Sequence, residues 1–356
     1  MITGVYLMKS NNPTFTIALP VRNGGKYLSQ AIRSALRQTR QADEILIIDD
    51  HSTDDSAAIA RSAEWSNRVT YLFNETPTGF ADAWNRAAAL VSGAYISILH
   101  QDDLLHPEYL ATISRSLERF PKVGHFYTAS EYIDANGIVT GHPPLPHVTE
   151  PVCYTGQEYA RTYLNGMLTN RHIHRCPGVT TSRDLLIGTG GYRKEAGHIA
   201  DDDFFLRIGA VTDVVGISRP LARFRNHGES ETGKQTDLTL KLAADYLYQI
   251  RSHRSGTTLL DSIGMAGLEQ QAARFINLLL FQGIETRNHE RVAEAHKLRR
   301  TFESLTRTTM TPLLPRWGRL LWLTTRSGRR TTASEIYGRM IREAVAWRRL
   351  IAGSKG

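Results

Sequence analysis

Two strand-like runs in this chain end on neighbouring carboxylates. "EILIIDD" closes on Asp49 and Asp50, and "AYISIL" leads through His100 and Gln101 into Asp102 and Asp103. Adjacent like charges at the mouth of a buried strand need a cation, hydrogen-bond donors or open water. At the C-terminal edge of an α/β sheet, acids stand where ligands bind. One pair alone reads equally well as a helix cap; two pairs at equivalent edges favour a shared site. A third group, Asp201, Asp202 and Asp203 in "GHIADDDFFLRIG", opens a helical stretch. Acids there either compensate a helix dipole or serve as a general base. His227, in "RFRNHGES", follows another strand-like run, where a lone His is a structural residue or a metal ligand.

The elements that must position these residues alternate from Phe15 onward between short β-rich runs and helical stretches. That is the pattern of βα units around a mostly parallel sheet. "FTIALP" reads as the first strand, and "YLSQAIRSALRQT" as a helix with Leu28, Ile32, Ala35 and Leu36 on one face. "EILIIDD" is the second strand. "TDDSAAIARSAEW" reads as a helix started by Thr53, with Asp54 and Asp55 in its positive first turn. "VTYLFN", "FADAWNRAAALVS" and "AYISIL" continue as strand, helix and strand. The Pro-rich "HPPLPHVTEP" reads as a loop or flap. Further on, "DDFFLRIGAV" is a helix and "DVVGISRPLARFRNH" a strand. From Leu238 the pattern is helical only, so "GESETGKQTD" marks a boundary between units 1–232 and 233–356.

Composition limits the reading further. The chain has 356 residues, 41% hydrophobic and 22% charged, which is ordinary for a globular protein and excludes wholesale disorder. Its two cysteines, Cys153 and Cys176, make neither a disulfide framework nor a zinc-type spacing, and a reducing compartment fits best. Neither a signal peptide nor a membrane-length apolar run is visible, so the expectation is a cytoplasmic protein. The net charge of +8 is concentrated in Thr306 to Gly356, where 11 Lys/Arg face 2 Asp/Glu. Within it, "EIYGRMIREAVAWRRLI" sets Ile336, Met340, Ala344, Trp347 and Ile351 on one helical face, with Arg339, Arg342 and Arg349 on the other. Packing on the body is the default for that face. Exposed, it suits peripheral contact with an anionic membrane, the inner face of the plasma membrane.

"IALPVRNGGKYLSQAIRSALRQTRQADEILIIDDHSTDDS", followed by "GFADAWNRAAALVSGAYISILHQDD", resembles the front half of the family 2 glycosyltransferases. The likeness rests on the spacing of Pro20, Ser34 and Gln38, "IIDDHSTD", Trp84-Asn85 and "SGAYISILHQDD", and extends to about residue 230. It implies a GT-A fold: a Rossmann-like, mostly parallel sheet flanked by helices, here followed by the helical C-terminal region. By the same resemblance Asp102 and Asp103 correspond to a DXD-like element that holds Mn²⁺ or Mg²⁺ against a nucleotide diphosphate. Asp103 is then the direct ligand, Asp102 touches ribose or metal, and His227 reaches metal or diphosphate. A hard dication with oxygen ligands suits the charge that grows on a departing diphosphate. Asp50 is placed on the nucleotide base, and Pro20, Arg22, Asn23 and Asn85 on the nucleotide. An acid accepting from a ring N–H selects uracil or thymine. Asp201, six residues before Arg207, is the general base, with Asp202 the contender, and Gly190-Gly191 give a tight turn before the base helix. Arg223 and Arg225 are candidate diphosphate donors. This chain departs from many relatives in having His100 where they carry a further Asp, and a supporting or structural role is expected for it.

The resemblance therefore implies an inverting, metal-dependent transferase moving sugar from a nucleotide-sugar donor to a glycan or lipid-linked acceptor in cell-surface polysaccharide assembly. Two alternatives stand beside it. A sugar nucleotidyltransferase wants an Arg/Lys-bearing Gly-rich loop after the first strand, of which "PVRNGGKYL" is a poor version. A non-catalytic nucleotide-sugar or nucleic-acid binder would rely on the basic tail, but a groove-reading helix leaves the four acidic positions unexplained, so no nucleic-acid partner is expected.

Overall fold

The computed structural model describes residues 13–143, 150–169, 172–228, 237–255 and 262–307. They fall into two compact units, one holding the described residues up to 228 together with 262–264, and one made almost wholly of helices from 237–255 and 265–307. The expected division at 232/233, most of the Pro-rich loop and nearly all of the basic tail lie outside the described residues.

In chain order the first unit comprises β1 (Phe15–Val21), α1 (Leu28–Leu36), β2 (Glu44–Asp49), α2 (Ser56–Ala60), β3 (Thr70–Phe73), α3 (Phe80–Leu90), β4 (Tyr95–Ile98) and β5 (Leu104–Leu105). It continues with α4 (Tyr109–Arg119), β6 (His125–Ile133), β7 (Val139–Gly141), β8 (Val152–Tyr154), α5 (Gly156–Thr169), β9 (Val179–Ser182), α6 (Arg183–Gly188), α7 (Ala200–Ile208) and β10 (Val214–Arg225). The strands form one sheet in the order β3-β2-β1-β4-β9-β6-β10-β5, with β7 beside β6 and β8 beside β10. The β3-β2-β1-β4 part is wholly parallel, β9 runs antiparallel between β4 and β6, and β6 and β10 are again parallel.

β1 is buried along nearly its whole length, as a central strand covered on both faces must be. Phe15, Ile17 and Leu19 meet Leu28, Ala31, Ile32 and Ala35 of α1 in the main apolar cluster. Each such side chain contributes about 1.5–3 kcal/mol on burial. The β1–β4 ladder stops at Ala18↔Ile98, with Leu99 N–H still donating to Ala18 O. Pro20, two residues further along the same edge, has no N–H to continue it, so the two strands part there while β1–β2 pairing runs on to Val21↔Asp49. The loops after β1, β2 and β4 thus emerge at one rim beside an opened seam.

One expected element differs. α2 begins at Ser56, not at Thr53, and no side chain caps it. Asp54 instead accepts from Gly25 N–H and from Ser56, so its carboxylate serves the neighbouring loop and holds the chain out of helix until Ser56.

The second unit holds α8 (Leu238–Ser255), most of α9 (Ser262–Glu285) and α10 (His289–Thr306). Tyr246 of α8 stacks on Phe275 of α9, and Arg254 pairs with Glu269 at 2.6 Å while donating to Leu305 O. Asn288 caps α10 by accepting from Arg291 N–H. Among the described residues no helix is long and apolar enough to cross a membrane.

Candidate active site

The rim is built from four pieces. The first, residues 20–25, is stitched to the loop after β2. Asn23 N–H donates to Ser52 Oγ, Thr53 N–H donates to Asn23 Oδ1, and Gly24 N–H donates to Ser56 Oγ. Asn23 has φ +54°, which Asn tolerates through such local bonds. The expected nucleotide residues Arg22 and Asn23 are exposed at this rim, and Pro20 is half-buried.

The second piece is the acid pair after β2. Asp49 is buried and accepts from Ser52 N–H and Tyr71 OH. Asp50 accepts from Asn74 Nδ2, from Thr78 N–H and Oγ1, and from Gly79 N–H, which ties the 74–79 loop and the start of α3 to the rim. Burial would raise the Asp50 carboxyl, but these donors outweigh it and hold it below the ordinary value. The residue placed on the base by resemblance is thus already a saturated anchor of its own loop.

The third piece carries Asp102 and Asp103. Ser34 Oγ accepts from Leu105 N–H, while Gln38 donates to His106 O and accepts from Leu110 N–H. The Ser34/Gln38 spacing in the sequence is therefore the device by which α1 grips the segment after the acids. Gln101, which the sequence reading passed over, clamps the first loop to this one. It accepts from Arg22 N–H at 2.7 Å and donates to Arg22 O at 3.1 Å. A Cβ on Gly24 would press on this side chain, so a larger residue there would push Gln101 off its clamp.

β10 closes the third piece from behind. Arg225, 1% exposed, donates its backbone N–H to Asp103 Oδ1 and Nε to Asp102 O. Its remaining contacts go to Asp134 O, Ala135 O and Gln30 Oε1, with the guanidinium 4.5 Å from the Tyr27 ring centre. Arg223 pairs with Glu131 at 2.9 Å. Both arginines thus have protein partners, Arg225 on the acid loop and Arg223 on β6. His227 Nε2 lies 2.9 Å from Asp102 Oδ2.

His100 stands in the acid cluster. Its ring stacks on Trp84, centroids 5.1 Å apart at 17°, and Nδ1 stands 3.3 Å from Asp103 Oδ2. One ligand-type atom each from His100, Asp102 and Asp103 lies within 4.8 Å of the others. Burial raises the Asp103 carboxyl, as does the charge of Asp102, against the pull of His100 and the Arg225 N–H. Burial opposes a charged His100, yet Cys176 and Asp103 together lift it well above its ordinary value. The Cys176 thiol is itself pushed up by burial and stays neutral at neutral pH, so Asp103 is the partner that matters.

The fourth piece is the start of α7. Gly190 and Gly191, at φ +80° and +63°, make the expected tight turn. Arg207 holds that turn by donating to Thr189 O and Gly191 O while its Nε binds the fully buried Asp203 at 2.7 Å. Asn85 grips the same segment, accepting from Tyr192 N–H and donating to Tyr192 O, which employs both ends of the amide expected at the nucleotide. Asp203 is thereby structural, and Asp201 and Asp202 are left at the front. Asp202 Oδ1 accepts from the buried Tyr163 OH at 2.6 Å. Burial first, and then the charge of Asp201, push the Asp202 carboxyl up to about 7. Asp201 is raised by burial and pulled back by the Asp202 N–H, His100 and Arg175. His100 therefore stands close enough to bear on both Asp103 and Asp201, which joins the two acid groups in one field.

Comparison with known proteins agrees with this geometry. Residues 16–177 match the family model described as glycosyl transferase family 2. A chondroitin synthase of Escherichia coli is 25% identical over 226 residues, covering 64% of this chain and 31% of that protein. The glycosyltransferase GlyG of Streptococcus pneumoniae serotype 4 is 32% identical over 120 residues, 33% of this chain and 40% of that one. The aligned part is thus well under two thirds of these curated relatives' length. Among solved structures, Staphylococcus aureus TarS 1–349 in complex with UDP-GlcNAc superposes with a TM-score of 0.61 at 14% identity, covering 82% of this chain and 81% of that one. The fold is the GT-A type expected from the sequence.

Proposed function

Because residues 16–177 belong to glycosyl transferase family 2, we propose that this chain is a metal-dependent, inverting glycosyltransferase. It takes a sugar from a UDP- or dTDP-type donor and places it on a hydroxyl of a glycan or lipid-linked glycan, in cell-surface polysaccharide assembly. TarS is a structural neighbour solved with UDP and with UDP-GlcNAc, which favours the uridine donor. The single observation that carries the reading is the cluster of His100, Asp102 and Asp103 at the rim, with one ligand-type atom from each within 4.8 Å of the others and a buried Asp103 Oδ2 that accepts no hydrogen bond.

Asp103 fits a dication: it is 1% exposed, carries a raised carboxyl, and its Oδ2 accepts no well-formed hydrogen bond. Mn²⁺ or Mg²⁺ held by Asp103 and Asp102, with His227 behind Asp102, would supply positive charge to the diphosphate as it leaves. Arg22, Asn23 and the rim around Asp50 border the nucleotide, and Asp50 acts there by fixing the 74–79 loop. Asp201 accepts the proton of the acceptor hydroxyl as its oxygen bonds to the anomeric carbon and the carbon–oxygen bond to the diphosphate breaks. A single displacement of this kind inverts configuration. Burial and the charge of Asp201 push the Asp202 carboxyl up to about 7, and Asp201 is raised as well, so the two titrate as a pair.

The test is a screen of nucleotide sugars for Mn²⁺-dependent turnover with Asp103→Ala and Asp201→Asn. The first should abolish metal-dependent UDP binding; the second should keep binding and lose transfer. Wild-type turnover in both variants would end the proposal.

A further inference from the structure

We propose that His100 is a direct nitrogen ligand of the metal, and that it tilts the site's ion preference away from Mg²⁺ toward first-row transition ions. The inference rests on the metal-dependent reading above and adds to it a donor that the acid motif does not contain. Three observations carry it.

The first is spacing. Two donor atoms at right angles on one ion, each about 2.1 Å from it, stand about 3 Å apart. The 3.3 Å between His100 Nδ1 and Asp103 Oδ2 is close to that edge, and a ligand atom of Asp102 completes a group within 4.8 Å. The second is lack of satisfaction. Asp103 is 1% exposed, and its Oδ2 meets His100 only in a contact too poorly aligned to be a hydrogen bond. The imidazole's other nitrogen, Nε2, is likewise buried and unbonded. An imidazole placed merely to support a carboxylate would be expected to donate a formed hydrogen bond to it. The third is orientation. Trp84, only 8% exposed, stacks on the imidazole and is itself wedged by Phe80 and Tyr192. Ligand pre-organisation of this kind is what a metal site requires.

The consequence follows from donor chemistry. Mg²⁺ takes oxygen and keeps its waters, whereas along Mn²⁺, Co²⁺ and Ni²⁺ affinity for a nitrogen-containing site climbs. A site with His100 bound should therefore show a steep climb, and one reduced to carboxylates a shallower one.

The experiment uses the full-length chain with UDP and MnCl₂, read by electron spin-echo modulation of the Mn²⁺ signal, and by calorimetric titration with Mg²⁺, Mn²⁺ and Co²⁺. The variants are His100→Gln, His227→Gln and Asp103→Ala. Wild type should show ¹⁴N modulation that survives in His227→Gln and disappears in His100→Gln. His100→Gln should lower Mn²⁺ and Co²⁺ affinity by about tenfold or more while moving Mg²⁺ much less. His100→Asp should reverse the order by favouring Mg²⁺. Mn²⁺ uptake that depends on Asp103 but shows no ¹⁴N modulation, or modulation lost with His227, would overturn the role of His100 and leave the metal-dependent reading standing. No Mn²⁺ uptake by wild type at all would overturn both.

Discussion

Removing Arg207 should damage the protein more than removing the acid it binds. Arg207 is 12% exposed and Asp203 not at all, with Nε 2.7 Å from Asp203 Oδ2. Arg207→Met would leave a carboxylate with no solvent and no cation, and Asp203 Oδ1 already lacks a hydrogen-bond partner. Breaking a buried pair from one side costs about 3–5 kcal/mol. The same substitution frees the carbonyls of Thr189 and Gly191, but these losses overlap with the first and do not simply add. The double variant Asp203→Leu/Arg207→Met removes the stranded charge. It should retain only the carbonyl penalty, about 1–3 kcal/mol. Denaturant unfolding followed by far-ultraviolet circular dichroism across the four members of the cycle gives the comparison, with Arg207→Met the least stable. A loss under about 1 kcal/mol for Arg207→Met, or a double variant no better than it, would refute the reasoning that a buried charge is being paired. Because Arg207 also holds the turn in front of Asp201, transfer should fall in Arg207→Met even at temperatures where the protein stays folded.

Three further outcomes follow from the same site. Asp202 has its carboxyl raised to about 7 in the fold, so the stability it contributes is complete below the ordinary aspartate value near pH 4 and is gone once the pH passes about 7. Asp202→Asn should therefore melt above wild type at pH 8 and together with it near pH 4, by scanning calorimetry. Asp50 is lowered by its donors, so Asp50→Asn should cost about 1–3 kcal/mol at pH 7 and progressively less as the pH falls below 4, in the same assay. Gly191→Ala meets both the positive φ and the Asn85 side-chain oxygen, so it should break the Asn85–Tyr192 latch. Its melting temperature should drop at least as far as that of Asn85→Ala.

The parallel half of the sheet was open to reading because β1, β2 and β4 are apolar and largely buried and the acids after β2 and β4 fall where the apolar run stops, a pattern that survives without knowledge of neighbours. The Ser34/Gln38 spacing was visible too, though its task, gripping residues 105–110, depends on a contact 68 to 72 positions away in the chain. Elements whose pairing is short or antiparallel carried little signal: β5 has two residues, and β9 is polar, "VTTS", because it is inserted between β4 and β6 where hydroxyls of Thr180 and Ser97 bond each other. The surroundings of His100 were hidden for a similar reason. Its place depends on Trp84 from another helix, and a single residue in a motif says nothing about which ring will stack on it.

The acids themselves divide by a criterion that composition cannot express. Asp49, Asp50 and Asp203 look in the sequence like Asp102, Asp103, Asp201 and Asp202, since all occur in runs at strand ends or a helix start. In the fold, Asp49 and Asp50 are met by hydrogen-bond donors and Asp203 is paired through one oxygen with Arg207. Asp103 is buried with one oxygen that accepts no hydrogen bond, Asp201 and Asp202 are half-buried, and each of the three has its carboxyl raised. A protein that gathers three such groups has left a deficit of positive charge that its own side chains do not cover. His100 bears on Asp103 and Asp201, and Arg175 on Asp201 and Asp202. It follows that a bound dication would stabilise this rim most where the deficit is greatest, beside Asp103. The order of binding should then be metal with nucleotide first and acceptor second, because only after the charge at Asp103 is met is Asp201 left as the remaining strong base.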